Sequence, residues 1–296
     1  MMAALLLAAC GHRASNGNSA ESDSLTVDST EAAVFKTDSI GITREDSMAC
    51  AKVSIDWPTA GEQHLVDAVR RYICEELAAS ITMEGQPDVI LYKTGKEAAS
   101  DIVSKQYNSL VADRKENMSY GTHEEMQYLY SISITRNEET DRYLTYLTNY
   151  EGFLGGAHGM ASARGITFSK TDGKRIGYRY VFNRKTMQQE IQEQTLFSKP
   201  DAAGLKALIK EGVRSYFKEC TVDVSTDSLL QDQLIGVNSV NSIPLPSAPP
   251  VFTRQGLCFV YQQYEIAPYA AGIINFDIPY DKVRPYLTPD AAKLIK

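Results

Sequence analysis

The sequence contains no run of about 20 apolar residues, which is the length that a membrane-spanning helix requires. It also has no block of Lys or Arg longer than two residues, and 30 basic residues stand against 37 acidic ones. Nucleic-acid binding depends on clustered cations that neutralise phosphates, so nucleic acid is not an expected partner. The 43% hydrophobic content over 296 residues instead indicates a globular chain with real cores.

Histidine is scarce, and its spacing argues against a metal site. No two histidines are three or four residues apart, and no cysteine lies close enough to complete a ligand cluster, so we expect no metal and no cofactor. No Gly-x-Ser-x-Gly elbow is present, so the sequence predicts no catalytic residue from that motif. The histidines are His12, His64, His123 and His158.

The beginning of the chain is typical of a bacterial lipoprotein signal. A ten-residue apolar stretch ends in Leu7-Ala8-Ala9-Cys10, and a small residue before a cysteine is what lipoprotein processing recognises. The stretch carries no Lys or Arg, so we expect the true start to lie upstream. We predict acylation of Cys10, membrane contact through that anchor alone, and a periplasmic or outer-membrane lipoprotein of the bacterial cell envelope. The alternative is that Ala3 begins a core helix.

The remaining cysteines are even in number, in a compartment that permits disulfides. Proximity in sequence favours Cys50 with Cys74 and Cys220 with Cys258, and each bridge would contribute about 3 to 4 kcal/mol. Four free thiols are the alternative, and the sequence leaves both open.

Composition and periodicity divide the chain into four regions. Residues 1–10 are the predicted signal, and the polar residues 11–45 are a predicted flexible tether. Residues 46–150 and 151–296 are predicted as two subdomains. Strands and helices cluster separately, so we predict an α+β fold with antiparallel sheets packed by helices.

Particular segments carry this prediction. Apolar stripes predict helices over 62–80, 96–114, 185–197 and 201–219, and alternation predicts a hairpin of 127–135 with 142–150. Further strands are expected at 165–168, 175–182, 257–264 and 272–278, with an irregular proline-rich loop at 243–250. Neighbouring carboxylates at Glu75 and Glu76 point different ways on a helix, so we expect a solvated surface there.

The most unusual composition lies between residues 152 and 159. Gly155 and Gly156 allow positive φ angles and leave main-chain amides uncovered, and His158 follows them as a titratable side chain. Such a loop can grip an anion or a carbonyl, or can simply turn the chain sharply while His158 packs against a carbonyl.

Three segments together resemble one known family, the RsiV-type extracytoplasmic domain. They are Gly155-Gly156-Ala157-His158-Gly159, the Thr171-Asp172-Gly173-Lys174 turn with Tyr180-Val181-Phe182, and Tyr264-Glu265-Ile266-Ala267-Pro268-Tyr269-Ala270-Ala271-Gly272 followed by Ile278-Pro279-Tyr280. This domain forms the outer part of lysozyme-sensing anti-sigma factors and the non-catalytic part of the peptidoglycan deacetylase PdaC.

The resemblance implies a binding module whose ligand is a lysozyme-like protein or derives from peptidoglycan. Candidate ligand-binding residues are Gly155, Gly156, His158, Tyr264, Glu265 and Tyr269. The tyrosines are equally good core residues. The alternative function is a small envelope hydrolase or transferase that uses His158, which would require a carboxylate or hydroxyl within about 3 Å of its ring.

Overall fold

The structure is a computed structural model, and it describes residues 33–81, 88–119, 126–183, 185 and 187–295. The helices are α1 (Gln63–Ser80), α2 (Gly95–Ser119), α3 (Ala203–Glu219), α4 (Asp227–Gln231), α5 (Tyr280–Val283) and α6 (Pro289–Lys293). The strands are β1 (Lys36–Glu45), β2 (Ala49–Ala60), β3 (Tyr128–Glu139), β4 (Tyr143–Phe153), β5 (Met160–Ser169), β6 (Arg175–Ile176), β7 (Arg179–Asn183), β8 (Gln188–Gln192), β9 (Val251–Phe252), β10 (Leu257–Tyr261) and β11 (Ile274–Ile278).

Strands β1 to β6 form one six-stranded sheet in chain order. Neighbouring strands are antiparallel except β2 and β3, which pair in parallel because α1 and α2 cross over between them. Val53, Ile55 and Trp57 of β2 are buried in alternation with less buried neighbours. The apolar stripe of α1, with Leu65 and Leu77 fully buried, packs against this sheet. We call the apolar interior of this half the N-terminal core.

The rest of the described chain surrounds a second interior, the C-terminal core. Helix α3 buries Leu205, Ile209 and Val213 there and packs against β11. Strands β9, β10 and β11 form a three-stranded antiparallel sheet, and β7 and β8 form a separate hairpin. The α+β class is thus confirmed, and the sheets are antiparallel apart from the β2 and β3 pair.

A buried polar junction connects the two cores. The hydroxyl of Thr145 on β4 donates to the Phe252 carbonyl at 2.9 Å, and the Phe252 amide donates to the Thr167 hydroxyl at 3.0 Å. The two threonine hydroxyls are themselves 2.9 Å apart. All three residues are inaccessible to solvent, so each backbone group that the junction buries has a partner.

Three sequence predictions need correction. Residues 36–45, predicted as tether, form β1. Pairing with β2 supplies backbone hydrogen bonds that stabilise this strand in spite of its polar composition. The predicted helix at 185–197 contains β8 instead, which pairs with β7. Strand β4 runs across the predicted boundary at residue 150 and pairs with β5, so the six-stranded sheet extends to Ile176.

Two sequence predictions concern residues that the structure does not describe. Cys10 and residues 11–32 of the predicted tether lie outside the described residues. No helix within the described ranges combines the length and the apolar character that crossing a bilayer demands.

Candidate functional site

The glycine-rich loop connects β4 to β5, between Phe153 and Met160. Gly155 and Gly156 adopt φ angles of 91° and 89°, in the region that the sequence predicted for them. A Cβ atom built on Gly156 would meet no atom within 4 Å, so this part of the loop borders open space. The loop therefore leaves room for a ligand beside its backbone.

His158, Tyr264 and Tyr269 come together at this loop, although about 100 residues separate the first from the others; we call them the aromatic patch. The imidazole stacks on the Tyr269 ring with centroids 4.0 Å apart and planes 25° apart. The Tyr264 ring lies 5.7 Å from that of Tyr269. Tyr264 is 57% exposed and His158 is exposed as well, so the patch presents aromatic faces to solvent.

One carbonyl, that of Gly159, contacts two of the three patch residues. The Tyr269 hydroxyl donates to the Gly159 carbonyl at 2.9 Å, and Nδ1 of His158 lies 3.0 Å from the same oxygen. Tyr264 has a φ angle of 65°, which is uncommon for a residue with a side chain. The contacts of Tyr269 with His158 and Gly159 thus join the glycine-rich loop to the segment that carries Tyr264 and Tyr269.

Glu265 stands apart from the patch, although the sequence grouped it with these residues. Its Oε1 accepts from the Ser247 amide at 2.5 Å, and its Oε2 accepts from the Gln262 amide at 2.7 Å. The carboxylate thus ties the proline-rich loop to the turn that carries Tyr264.

Two glutamines attach that turn to β5. Oε1 of Gln262 accepts from the Ala163 amide at 3.0 Å while its Nε2 donates to the Ala163 carbonyl at 2.6 Å, as a paired strand would. Oε1 of Gln263 accepts from the Ala161 amide at 3.0 Å. These contacts cover the edge of β5 next to the patch.

A cleft of about 1200 Å³ is lined by residues of both cores and by Glu265, the chain neighbour of Tyr264. Gln262 and Glu265 contribute to its lining, as do residues of β5, including Arg164. Its apolar lining includes Tyr178 and Tyr180. Burial and the Glu265 carboxylate raise the pKa of Tyr180 to about 12, so its hydroxyl stays protonated at neutral pH and donates to the Leu245 carbonyl at 3.3 Å.

Sequence reasoning missed the cleft, and the expectation for Glu75 and Glu76 was wrong. Both glutamates line the cleft, where Glu76 pairs with Arg164 and Glu75 with Arg175, each at 2.7 Å. The Glu76 side chain is only 13% exposed. These pairs join α1 to strands that are far away in sequence, so no local pattern could have revealed them.

The surroundings of His158 bear on the catalytic alternative. Among the described residues, the hydrogen bond of its ring is to a backbone carbonyl, not to the carboxylate or hydroxyl that this alternative requires. The described residues contain no group of three or more His, Cys, Asp or Glu arranged to hold a metal ion.

The four described cysteines are free thiols, so the favoured disulfide pairs are not formed. Cys74 is buried in α1, Cys50 on β2 and Cys258 on β10 are half-buried, and Cys220 at the end of α3 is exposed. Burial, together with the Asp277 carboxylate, raises the pKa of Cys258 to about 12, and burial raises that of Cys74. Both are therefore protonated thiols at neutral pH.

The comparisons with known proteins agree on one family. Residues 185–281 match the family described as "Protein of unknown function (DUF3298)". A crystal structure of a DUF3298 family member from Bacteroides fragilis is similar, with a TM-score of 0.64 and 16% identity over 88% of this chain and 96% of that one. A DUF3298 family protein from Pseudomonas aeruginosa has a TM-score of 0.50 and 14% identity over 87% of this chain and 96% of its own.

These likenesses concern the fold, since the identities are low. No curated protein matches the chain. The match covers α3, the proline-rich loop, the turn that carries Tyr264 and Tyr269, and strands β9 to β11. Residues 185–281 are thus similar to the DUF3298 family, and in this structure they fold together with the six-stranded sheet that precedes them.

Proposed function

We propose that this protein is a lipid-anchored, non-catalytic binding module of the bacterial cell envelope that recognises a glycan derived from peptidoglycan. The aromatic patch carries the proposal. The Gly159 carbonyl holds His158 and Tyr269, and Tyr264 packs against the Tyr269 ring, at one exposed place beside a glycine loop with open space at Gly156. Flat aromatic faces beside the glycine loop suit a ring that is apolar on its faces and hydroxylated at its edge.

The adjoining cleft supports a ligand larger than one sugar. Its volume of about 1200 Å³ is above the usual range for small-molecule sites, and it combines apolar walls with paired charges of both signs. A glycan on the aromatic patch can thus extend a substituent of mixed polarity into the cleft. The resemblance to RsiV-type domains favours the same compartment, and it makes a lysozyme-like protein the other ligand class.

Tyr264→Ala tests the patch. Tyr264 is exposed and its hydroxyl has no hydrogen bond among the described residues, so its removal leaves the fold intact and removes one aromatic face. We expect the Kd for soluble peptidoglycan fragments to rise about tenfold, the effect of losing roughly 1.4 kcal/mol of contact energy. The measurement is calorimetric titration of the full chain carrying Cys10→Ser.

The matched control is Val34→Ala, which shortens a 72% exposed side chain just before β1, at the opposite edge of the sheet from β5. It should bind as the wild type does. If the chain binds lysozyme but no glycan fragment, the ligand is a protein and the glycan proposal is wrong. If the protein binds neither glycan fragments nor lysozyme, the proposal is wrong.

The anchor has its own test. In the native bacterial host we expect the chain in the membrane fraction with an acylated Cys10, and we expect Cys10→Ser to release it from that fraction, since one cysteine carries the acyl groups. Mass spectrometry of the N-terminal peptide measures the modification directly. An unmodified N-terminus on cytosolic protein would contradict the anchor while leaving the ligand test intact.

A further inference from the structure

We infer that two copies of this chain associate through β1, which pairs with itself in antiparallel orientation around Gly41. The inference concerns a different face from the proposed ligand site, because β1 and β5 lie toward opposite edges of the six-stranded sheet. The product would be one continuous sheet across a two-fold symmetric dimer.

Strand β1 is an open edge. It spans ten residues and pairs with β2 on one side, while no strand of the described chain pairs with its other side. Natural proteins usually keep edge strands short or protect them with Pro or Lys inside the strand. The one Lys of β1 is its first residue, Lys36, where the register with β2 shifts, and residues 37–45 contain neither Pro nor Lys, so their outward N–H and C=O groups remain available to a second strand.

Strand geometry limits the registers that a self-pairing can adopt. Alternate residues direct their backbone groups away from β2, and the same residues do so in both copies. Opposing residues must therefore be both odd or both even in number, which places the symmetry axis at a residue. Near the middle of β1 the axis can thus fall at Ile40, Gly41 or Ile42.

Charge selects among these three registers. With the axis at Gly41, Asp38 opposes Arg44 of the second copy, and the same pair recurs by symmetry. With the axis at Ile40, Lys36 opposes Arg44, and with the axis at Ile42, Asp38 opposes Asp46. Like charges directly opposite each other are unfavourable, so only the register at Gly41 matches opposite charges.

The Asp38 and Arg44 side chains lie on the same face of the sheet, as this register requires. Arg44 stacks over the Tyr107 ring at 3.9 Å and donates to Asn108 Oδ1 at 3.3 Å, which puts it on the α2 face of the sheet. Asp38 has the same parity and so shares that face, and no ion pair or hydrogen bond of its side chain occurs within the described residues. Gly41 has no side chain at the axis, and no atom lies within 4 Å of its Cβ position.

Backbone hydrogen bonds and charged pairs have different roles in the proposed dimer. Exposed ion pairs contribute little to stability individually, so the two Asp38 to Arg44 pairs choose the register rather than hold the dimer. The ladder of backbone hydrogen bonds and the opposition of Ile40 to Ile42 supply the rest.

A charge exchange tests the pairing. We expect the full chain carrying Cys10→Ser to sediment as a dimer in analytical ultracentrifugation. Asp38→Arg should raise the dimer dissociation constant at least tenfold, because it places arginines opposite each other twice. Asp38→Arg combined with Arg44→Asp should restore the wild-type constant, and circular dichroism of each variant checks the fold.

Cross-linking tests the register. Antiparallel partners have Cα atoms about 4.5 to 5.5 Å apart, within the span of a disulfide, so Gly41→Cys should form a covalent dimer under mild oxidation. Thr43→Cys should not, because Ser39 opposes it, and the parent chain shows the background from the exposed Cys220. A wild-type chain that stays monomeric, or self-association that Asp38→Arg leaves unchanged, would overturn the inference.

Discussion

Gly256→Ala is expected to lower the free energy of unfolding by about 3 kcal/mol or more, since the added methyl group would collide with backbone. Gly256 precedes β10 at a φ angle of 154°, and a Cβ atom there would lie 2.2 Å from the Ile278 carbonyl oxygen. Ile278 ends β11 and pairs with Leu257, so relief of the collision would separate two strands of the C-terminal core. Equilibrium unfolding in urea measures the change.

Gly236→Ala is the matched control, because Gly236 also has a positive φ, of 67°, but its Cβ position meets no atom within 4 Å. Only the intrinsic cost of a left-handed alanine remains there, about 1 kcal/mol. Equal destabilisation by the two substitutions would mean that β10 and β11 do not approach as closely as the structure has them.

Phe252→Ala is expected to cost about 3 to 5 kcal/mol, the usual range for emptying a buried phenylalanine site. The Phe252 side chain is 0% exposed and packs on the rings of Tyr143, with centroids 5.4 Å apart, and Tyr280, at 5.9 Å. Its backbone forms the polar junction with Thr145 and Thr167 that connects the two cores. The cavity would therefore open where both cores meet.

The measurement is again urea unfolding, followed by tryptophan fluorescence and by circular dichroism. Trp57, the single tryptophan of the chain, reports on the N-terminal core, while Phe252 lies in the C-terminal one. Since residues 33–296 form one compact unit, both signals should shift together in a single transition. Phe252→Leu, which keeps most of the volume, should cost about 1 kcal/mol. Separate transitions would show that the two halves unfold independently.

The candidate site was only partly accessible from sequence. Composition drew attention to the glycine loop and His158, and the family resemblance to Tyr264 and Tyr269, and the structure brings these residues together. Glu265 was grouped with them, yet its carboxylate serves backbone amides. The cleft was missed because its walls come from α1, β5 and the proline-rich loop, and no local signal relates these segments to one another.

The fold divides in the same way. The stripe of α1 and that of α3 predicted their helices within one or two residues at each end, because a 3.6-residue period is a property of the local chain. Strands β1 and β8 were mistaken for a tether and part of a helix, because a polar strand is stabilised mainly by its neighbour.

By itself, the sequence determined the amphipathic helices, the hairpin of β3 and β4, the α+β class and the glycine loop, all of which depend on residues close together along the chain. Only the tertiary structure decided that the four described cysteines stay unpaired, that β2 and β3 run in parallel, and that Glu75 and Glu76 pair with arginines at a cleft. The reason is physical: these features depend on distances between remote segments, and packing of the two cores sets those distances.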